Sequence, residues 1–270
     1  MKWVIGRFLS ERRGWLSYYG TKIYFPNGSY AAQCILNYGS YENDIQIAMI
    51  AATQDDSVVF DVGANIGVSS IPLLSKRPQC RVVSIEASPG VLAYLNKTHQ
   101  ECAFKERWEI VRKAAMQRPG KDISFTVHGS GGDVFDGILH TGRAPSATTV
   151  SVPTTSIDTE WELRDCPQVS LLKIDTEGAE IGVLNGAVKC LKACRPYIIT
   201  EWCPKNFKAY GNRPEDMWNL ARDLDYSVFA IPSMSPVTRP DILSIVLEIQ
   251  ENLLLVPNPT ERPPDVSVAG

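Results

Sequence analysis

The chain has no Cys-x-x-Cys pair and no His-Glu-x-x-His run, and its only histidines are scattered at 99, 128 and 140. Those absences argue against a zinc site. Seven cysteines, at 34, 80, 102, 166, 190, 194 and 203, make an odd set. Free thiols in a reducing, cytoplasmic setting are expected rather than a disulfide frame. No lysine/arginine block occurs and the net charge is −3, so no electrostatic grip on nucleic acid is expected. No apolar run reaches the ~18 residues of a membrane helix. The opening MKWVIGRFLSERRGW is broken by Gly6 and Arg7 and lacks a small-residue cleavage site, so no signal peptide is expected. No internal repeat is visible, and oligomeric state, including a homo-oligomer, stays open.

What is present is ordinary globular composition, 270 residues with 44% apolar and 21% charged, enough for one substantial core. Residues 1–50 read as an N-terminal segment. It holds a hairpin around Lys22–Phe25 and Pro26-Asn27-Gly28, an extended run, and a helix on which Ile45, Met49 and Ala52 recur. From 51 to 257 strand and helix signals alternate. Strands are expected at 57–62, 81–86, 108–113, 169–175, 196–202, 226–231 and 253–256, and helices at 65–76, 91–102, 179–191 and 214–224. This alternation predicts an α/β fold with a parallel sheet covered on both faces. Residues 122–128 alternate like a hairpin strand, and a glycine-rich loop at 128–148 is expected over a site. The proline-rich tail, 258–270, is expected to be poorly ordered.

Three segments carry chemistry. FDVGANIG (60–67) follows the first core strand and opens a helix, where free N–H groups can meet a ligand. Its glycines are spaced G-x-x-x-G, and Asp61 precedes them. A carboxylate there suits a ligand with positive charge better than a pyrophosphate. Glu86 ends the second strand 19 residues after Gly67, near the ~20-residue offset at which an acid reaches ribose hydroxyls. In LLKIDTEGAE (171–180) a buried strand delivers Asp175 at its carboxyl end, where ligands bind in such sheets. Glu177 is read equally as a cap or a site residue, and Glu180 as a capping or solvated acid.

DVGANIG, IEASP and IDTEGAE, in that order, resemble the FkbM family of class I S-adenosylmethionine-dependent methyltransferases. GSYEND (39–44), VPTTSID (152–158), EGAEIGVLNGA (177–187) and ENLLLVP (251–257) extend the resemblance over roughly residues 40–257. It implies a Rossmann-like sheet of seven strands, six parallel and one antiparallel, with helices on both faces. It also implies that S-adenosylmethionine lies across the strand ends. Asp61, Gly63, Ala64, Asn65 and Gly67 would surround the methionine part. Glu86 would hold the ribose, Ala87, Ser88 and Ala114 would lie near adenine, and Tyr41 and Glu42 would close the pocket.

The implied reaction is O-methylation of a small-molecule or glycan hydroxyl: a sugar, a glycolipid or a natural product. Two ways of removing the acceptor proton stay open. Asp175 or a histidine, best His128, acts as general base. Alternatively Asp175, Glu177 and Glu201 hold a Mg2+-like ion that acidifies the hydroxyl. His140 is expected near the acceptor, His99 on the surface, and Trp161 and Trp202 in packing roles. A nicotinamide-dependent oxidoreductase and a non-catalytic nucleoside-binding module are the competing readings.

Overall fold

The computed structural model describes residues 14–129, 135–142 and 147–259. Residues 1–13, 130–134 and 143–146 of the expected N-terminal segment and acceptor loop, and 260–270 of the expected tail, lie outside the described residues.

The described residues open with a hairpin, β1 (Trp15–Tyr18) and β2 (Thr21–Tyr24), turning at Tyr19-Gly20. The expected extended run that follows is instead a helix, α1 (Tyr30–Tyr38). The Ser29 hydroxyl accepts from the Ala32 N–H and starts it, and Gly39 in the left-handed region ends it. A second helix, α2 (Asn43–Ala52), leads into the core.

Strands and helices then alternate: β3 (Val58–Val62), α3 (Ser70–Lys76), β4 (Arg81–Ile85), α4 (Pro89–Glu101) and β5 (Trp108–Val111). The expected helix at 65–76 begins only at Ser70. Pro72 therefore falls in its first turn, where a missing N–H leaves no bond unmade. Short strands β6 (Ala114–Ala115) and β9 (Thr154–Thr155) pair beside the antiparallel β7 (Ile123–His128) and β8 (Ala147–Val152). There follow α5 (Ile157–Glu162), β10 (Val169–Ile174), α6 (Glu180–Asn185), α7 (Val188–Cys194) and β11 (Tyr197–Glu201). The chain continues through α8 (Pro204–Phe207), α9 (Pro214–Asp223), β12 (Tyr226–Ile231), β13 (Ser235–Pro236), α10 (Pro240–Val246) and β14 (Asn252–Pro257).

The main sheet runs β5-β4-β3-β10-β11-β14-β12, with the two-residue β13 added at one edge. Its first five strands are parallel, and β14 is antiparallel to both neighbours. The expected α/β sheet of seven main strands is present. Successive strand residues feed opposite cores, as period-two geometry demands. Val59, Leu171, Ile199 and Leu254 join one apolar cluster with Ile23, Met49 and Trp108. Phe60, Leu172, Ile198 and Leu255 join the other with Trp161, Trp202 and Phe207. The hairpin and first helices thus share one core with the sheet. His99, expected on the surface, is half-buried, and its Nε2 lies 2.7 Å from the Trp108 carbonyl. All seven cysteines are free. Among the described residues no helix is long and apolar enough to cross a membrane.

One expected helix, 179–191, is two. The break falls at Gly186-Ala187, where a Cβ on Gly186 would overlap the Met116 carbonyl. The Gly186 carbonyl accepts from the Asp158 N–H at 2.9 Å, and the Asp158 carboxylate accepts from the N–H groups of Lys189 and Cys190 at 3.0 and 2.9 Å. A carboxylate from another element thereby caps α7. Asp158→Ala should lower the unfolding free energy by about 1 kcal/mol, and Asp158→Asn by less, in urea denaturation. Equal midpoints for Asp158→Ala and wild type would show that the cap contributes nothing.

Candidate active site

Four neighbouring parallel strands end level with one another. In the ladder Val62 sits opposite both Ile85 and Ile174, and Ile174 opposite Thr200. The next residues along the chain are Gly63, Glu86, Asp175 and Glu201, so one edge of the sheet presents three carboxyls and a glycine. Above that edge lies a cavity of about 320 Å³, within the size range of small-molecule sites.

Of the sequence-derived candidates, Tyr41, Glu42, Gly63 and Asn65 line the cavity. Glu86, Ala87, Ala114, Asp175, Glu177 and Glu201 line it too. Asp61, Ala64, Gly67, Ser88 and His128 do not belong to this wall. Asp61 is fully buried beneath it, because its place inside β3 turns it toward Lys173 and Ser70. Ala64 is buried in the core, and Gly67 abuts the Trp108 ring. Ser88 donates to Asp136 at 2.6 Å. The His128 ring nitrogens face Asp136 at 3.2 Å and His140 at 3.3 Å. One ring nitrogen thus faces a carboxylate of the cavity wall and the other a second imidazole, while His128 itself does not line the cavity.

Lys173 is the residue that sequence reading passed over. It sits in β10 opposite Asp61, and its Nζ lies 3.0 Å from Asp175 Oδ2 and 3.9 Å from Asp61 Oδ1. Burial alone would depress its pKa, yet Asp175, Asp61 and Glu42 hold it above the ordinary value. A chain of hydrogen bonds backs this pair. Trp108 Nε1 donates to Ser84 Oγ at 2.8 Å, Ser84 and Ser70 hydroxyls lie 2.7 Å apart, and Ser70 donates to Asp61 at 2.6 Å. Asp61 Oδ1 has no hydrogen-bond partner among the described residues. A lysine inside an otherwise apolar strand was the available signal, since a buried ammonium needs acids around it.

The loops that carry the wall are held by buried carboxylates. Glu86 accepts from the N–H groups of Asn65, Ala87 and Ser88, each at 2.8 Å. Glu180 Oε1 accepts from the N–H of Thr176 and Gly178 at 3.0 Å and from the Thr176 hydroxyl at 3.1 Å. Glu180 is thus a buried staple, not a solvated acid. Glu42, Asn65 and Glu177 all adopt left-handed backbone conformations, which cost energy outside glycine and concentrate at functional sites. At Gly63 (φ 78°) a Cβ would overlap the Asp175 carbonyl oxygen, so only glycine lets β3 and β10 exit side by side.

Three of these acids sit above their ordinary value near 4.5, with burial the largest cause in each. Glu86 rises to about 6, against the pull of its three N–H donors. Glu42 rises to about 7, helped by repulsion from Asp175. Glu180 rises to about 7. Between pH 4.5 and 7 the folded chain therefore holds protons at these sites that the unfolded chain has lost. Their contribution to stability is complete below the unfolded value and is lost as pH rises through the folded values. Urea midpoints of wild type should accordingly show a component that falls between pH 5 and 7.5. Glu180→Gln, which keeps an acceptor oxygen, should flatten it; an unchanged pH slope in that variant would contradict the assignment.

Asp175, Glu177 and Glu201 each offer one carboxylate oxygen, all within 4.8 Å of one another. This is an oxygen-only set of the kind hard divalent cations accept, with Lys173 holding one oxygen of Asp175.

A family model described as "Methyltransferase FkbM domain" matches residues 61–228. Methyltransferase 1 of Beauveria bassiana is 26% identical over 152 residues, 51% of this chain and 61% of its own length. The hexuronic acid methyltransferase AglP of Haloferax volcanii is 23% identical over 163 residues, 59% of this chain and 62% of its own length. The chain thus spans about three fifths of the length of the curated relatives it matches. The crystal structure of an FkbM methyltransferase from Methylobacillus flagellatus superposes with a TM-score of 0.49 at 16% identity, covering 93% of this chain and 58% of that one. The family match alone covers more than half of the chain: this protein belongs to the FkbM methyltransferase family.

Proposed function

We propose that the protein is an S-adenosylmethionine-dependent O-methyltransferase acting on a hydroxyl of a sugar, glycolipid or natural product. The observation that carries this reading is the cavity wall itself, where Glu42, Asp175, Glu177 and Glu201 converge and Lys173 pairs with Asp175. Such a wall attracts a ligand whose ammonium and sulfonium outweigh its one carboxylate. It would repel the pyrophosphate of a nicotinamide dinucleotide, which disfavours the oxidoreductase reading. The glycine-flanked exit of β3 and the N–H-stapled Glu86 supply the methionine and ribose ends. Behind the wall Asp61 adds negative charge, its Oδ1 3.9 Å from Lys173 Nζ.

In the proposed step the acceptor oxygen attacks the methyl carbon in line with the departing sulfur. A C–O bond forms, the S–CH3 bond breaks with its electron pair going to sulfur, and the hydroxyl proton passes to the Asp175–Glu177 carboxylates. The leaving group is already activated, so the chain mainly aligns the reactants and takes the proton. Lys173 keeps Asp175 aimed. Asp175, Glu177 and Glu201 would hold a magnesium-like ion, which would supply acidification of the acceptor hydroxyl. The likeness to the Haloferax relative, a hexuronic acid methyltransferase, supports a carbohydrate acceptor.

Calorimetry with S-adenosylhomocysteine should show binding, and labelled methyl from S-adenosylmethionine should pass to a hydroxylated acceptor. Absence of binding at micromolar protein would end the proposal. Asp175→Asn should lower turnover by at least about 100-fold while product affinity stays within a few-fold. Equal loss of both would make Asp175 a cofactor holder instead. Chelation that abolishes turnover, restored by Mg2+, would assign the three carboxylates to a cation, and unaffected turnover would leave the proton with the carboxylates alone.

A further inference from the structure

Beside the cavity lies an open cleft of about 380 Å³. Helix α1 builds one side of it. Its Ala31, Ala32 and Ile35 are buried in the core. Tyr30, Cys34 and Tyr38, spaced four apart, fall on another face and line the cleft. The turn into α2 supplies the other side, through Ser40, Tyr41, Glu42 and Asn43. Tyr30, Tyr41 and Glu42 line the cavity as well, so the two spaces adjoin.

A line of tyrosines connects them. Burial, then the nearby carboxyls of Glu42, Asp175 and Glu201, hold the Tyr41 phenol well above its ordinary value. Tyr41 therefore stands by the strand ends as a protonated donor. Tyr30 meets its ring in a T-shaped contact, the centroids 6.3 Å apart. Tyr38 lies two turns further along α1 and is 80% exposed, with Tyr30 55% exposed. Covering such rings removes apolar surface from water, which is favourable. Among the described residues the side chains of Tyr38, Ser40 and Asn43 make no hydrogen bond.

With the cofactor proposed above in the cavity and the reacting oxygen at Asp175, an acceptor of several rings has to continue outward. The tyrosine line marks a way out, and its chemistry selects what can follow it. The Glu42 carboxyl disfavours a phosphate. A hydrocarbon chain would cover the Ser40 and Asn43 groups without bonding them. A sugar satisfies both demands, since its C–H face suits the rings and its hydroxyls suit the polar groups.

We propose that this cleft is a second sugar subsite: the acceptor is a glycan of at least two rings, and the ring next to the methylated one lies on Tyr30 and Tyr38, with its hydroxyls bonded to Ser40 and Asn43. The inference rests on the methyltransferase reading and narrows its acceptor to a glycan chain. It also gives the face of α1 turned away from the core a role in choosing that chain.

The test transfers labelled methyl from S-adenosylmethionine to an array of hexoses, deoxyhexoses, hexuronic acids and amino sugars. Each is displayed singly and as di- and trisaccharides, with a set of phenols alongside. At least one sugar should take label, its longer forms about tenfold more than the single ring, the worth of one good ring contact. In Tyr38→Ala that ratio should fall to within about threefold. Tyr38→Phe keeps the ring face and should keep the ratio; loss there too would contradict stacking. Thermal midpoints of both variants should match wild type, because Tyr38 is mostly exposed. A general structural effect of Tyr38→Ala would lower single and longer sugars alike and leave the ratio unchanged, which overturns the inference. Equal label on single and longer sugars in wild type overturns it, as does label on phenols alone. No label anywhere, with S-adenosylhomocysteine still bound in calorimetry, overturns it and leaves the methyltransferase reading standing. Loss of both signals ends both.

Discussion

The buried ammonium of Lys173 is the constraint around which the site is arranged. An ammonium enclosed in a low-dielectric interior costs several kcal/mol unless acids surround it. Here Asp61 and Asp175 flank it and Glu42 adds to the field. Each of the three answers a demand of the others. Without Lys173, the carboxylates of Asp61 and Asp175 would repel each other in the sheet. Without them, the lysine would not remain charged. Three acids against one lysine leave an excess of negative charge in and beneath the cavity wall when all are ionised. Burial and Asp175 hold Glu42 near pH 7 in its titration, so a cation entering the cavity would draw off its proton.

Acids serve a second purpose in the same few ångströms. Glu86 and Glu180 point their oxygens at backbone N–H groups and hold the turns after β4 and β10. Charge-assisted bonds of this kind are among the stronger ones available to a loop. They help support the left-handed backbones of Asn65 and Glu177, conformations that would otherwise relax. The wall is thus pre-formed by carboxylates that brace the turns, while other carboxylates face the cavity. Glu86 does both, since it lines the cavity with its N–H donors already in place.

Legibility differed from element to element. The four parallel strands that end at the cavity were readable because each is a short, mainly apolar run ended by an acid or a glycine, a pattern local enough to recognise. The helix at 30–38 was not, since its start depends on one Ser29 hydroxyl and its burial on a sheet far along the chain. The break at Gly186 was hidden because its cause, Met116 and Asp158, lies many residues away. In the site, Asp175 and Glu86 were found from strand ends, whereas Lys173 was masked by its apolar neighbours. Asp136 was hidden in a glycine-rich stretch with no periodicity. Asp61 was noticed, but its depth beneath the wall follows from which face of β3 it occupies.

Order along the chain was therefore enough to establish the kind of sheet, the acid-tipped strands and the turn at Gly63, because hydrophobic period and glycine spacing are local properties. Which acids face the cavity, which staple a loop and which pair with the buried lysine was decided by packing. Those roles depend on side chains from β3, β4, β10, β11 and the β7–β8 segment meeting in space. Distance between them, and the dielectric they share, exists only once the sheet has closed.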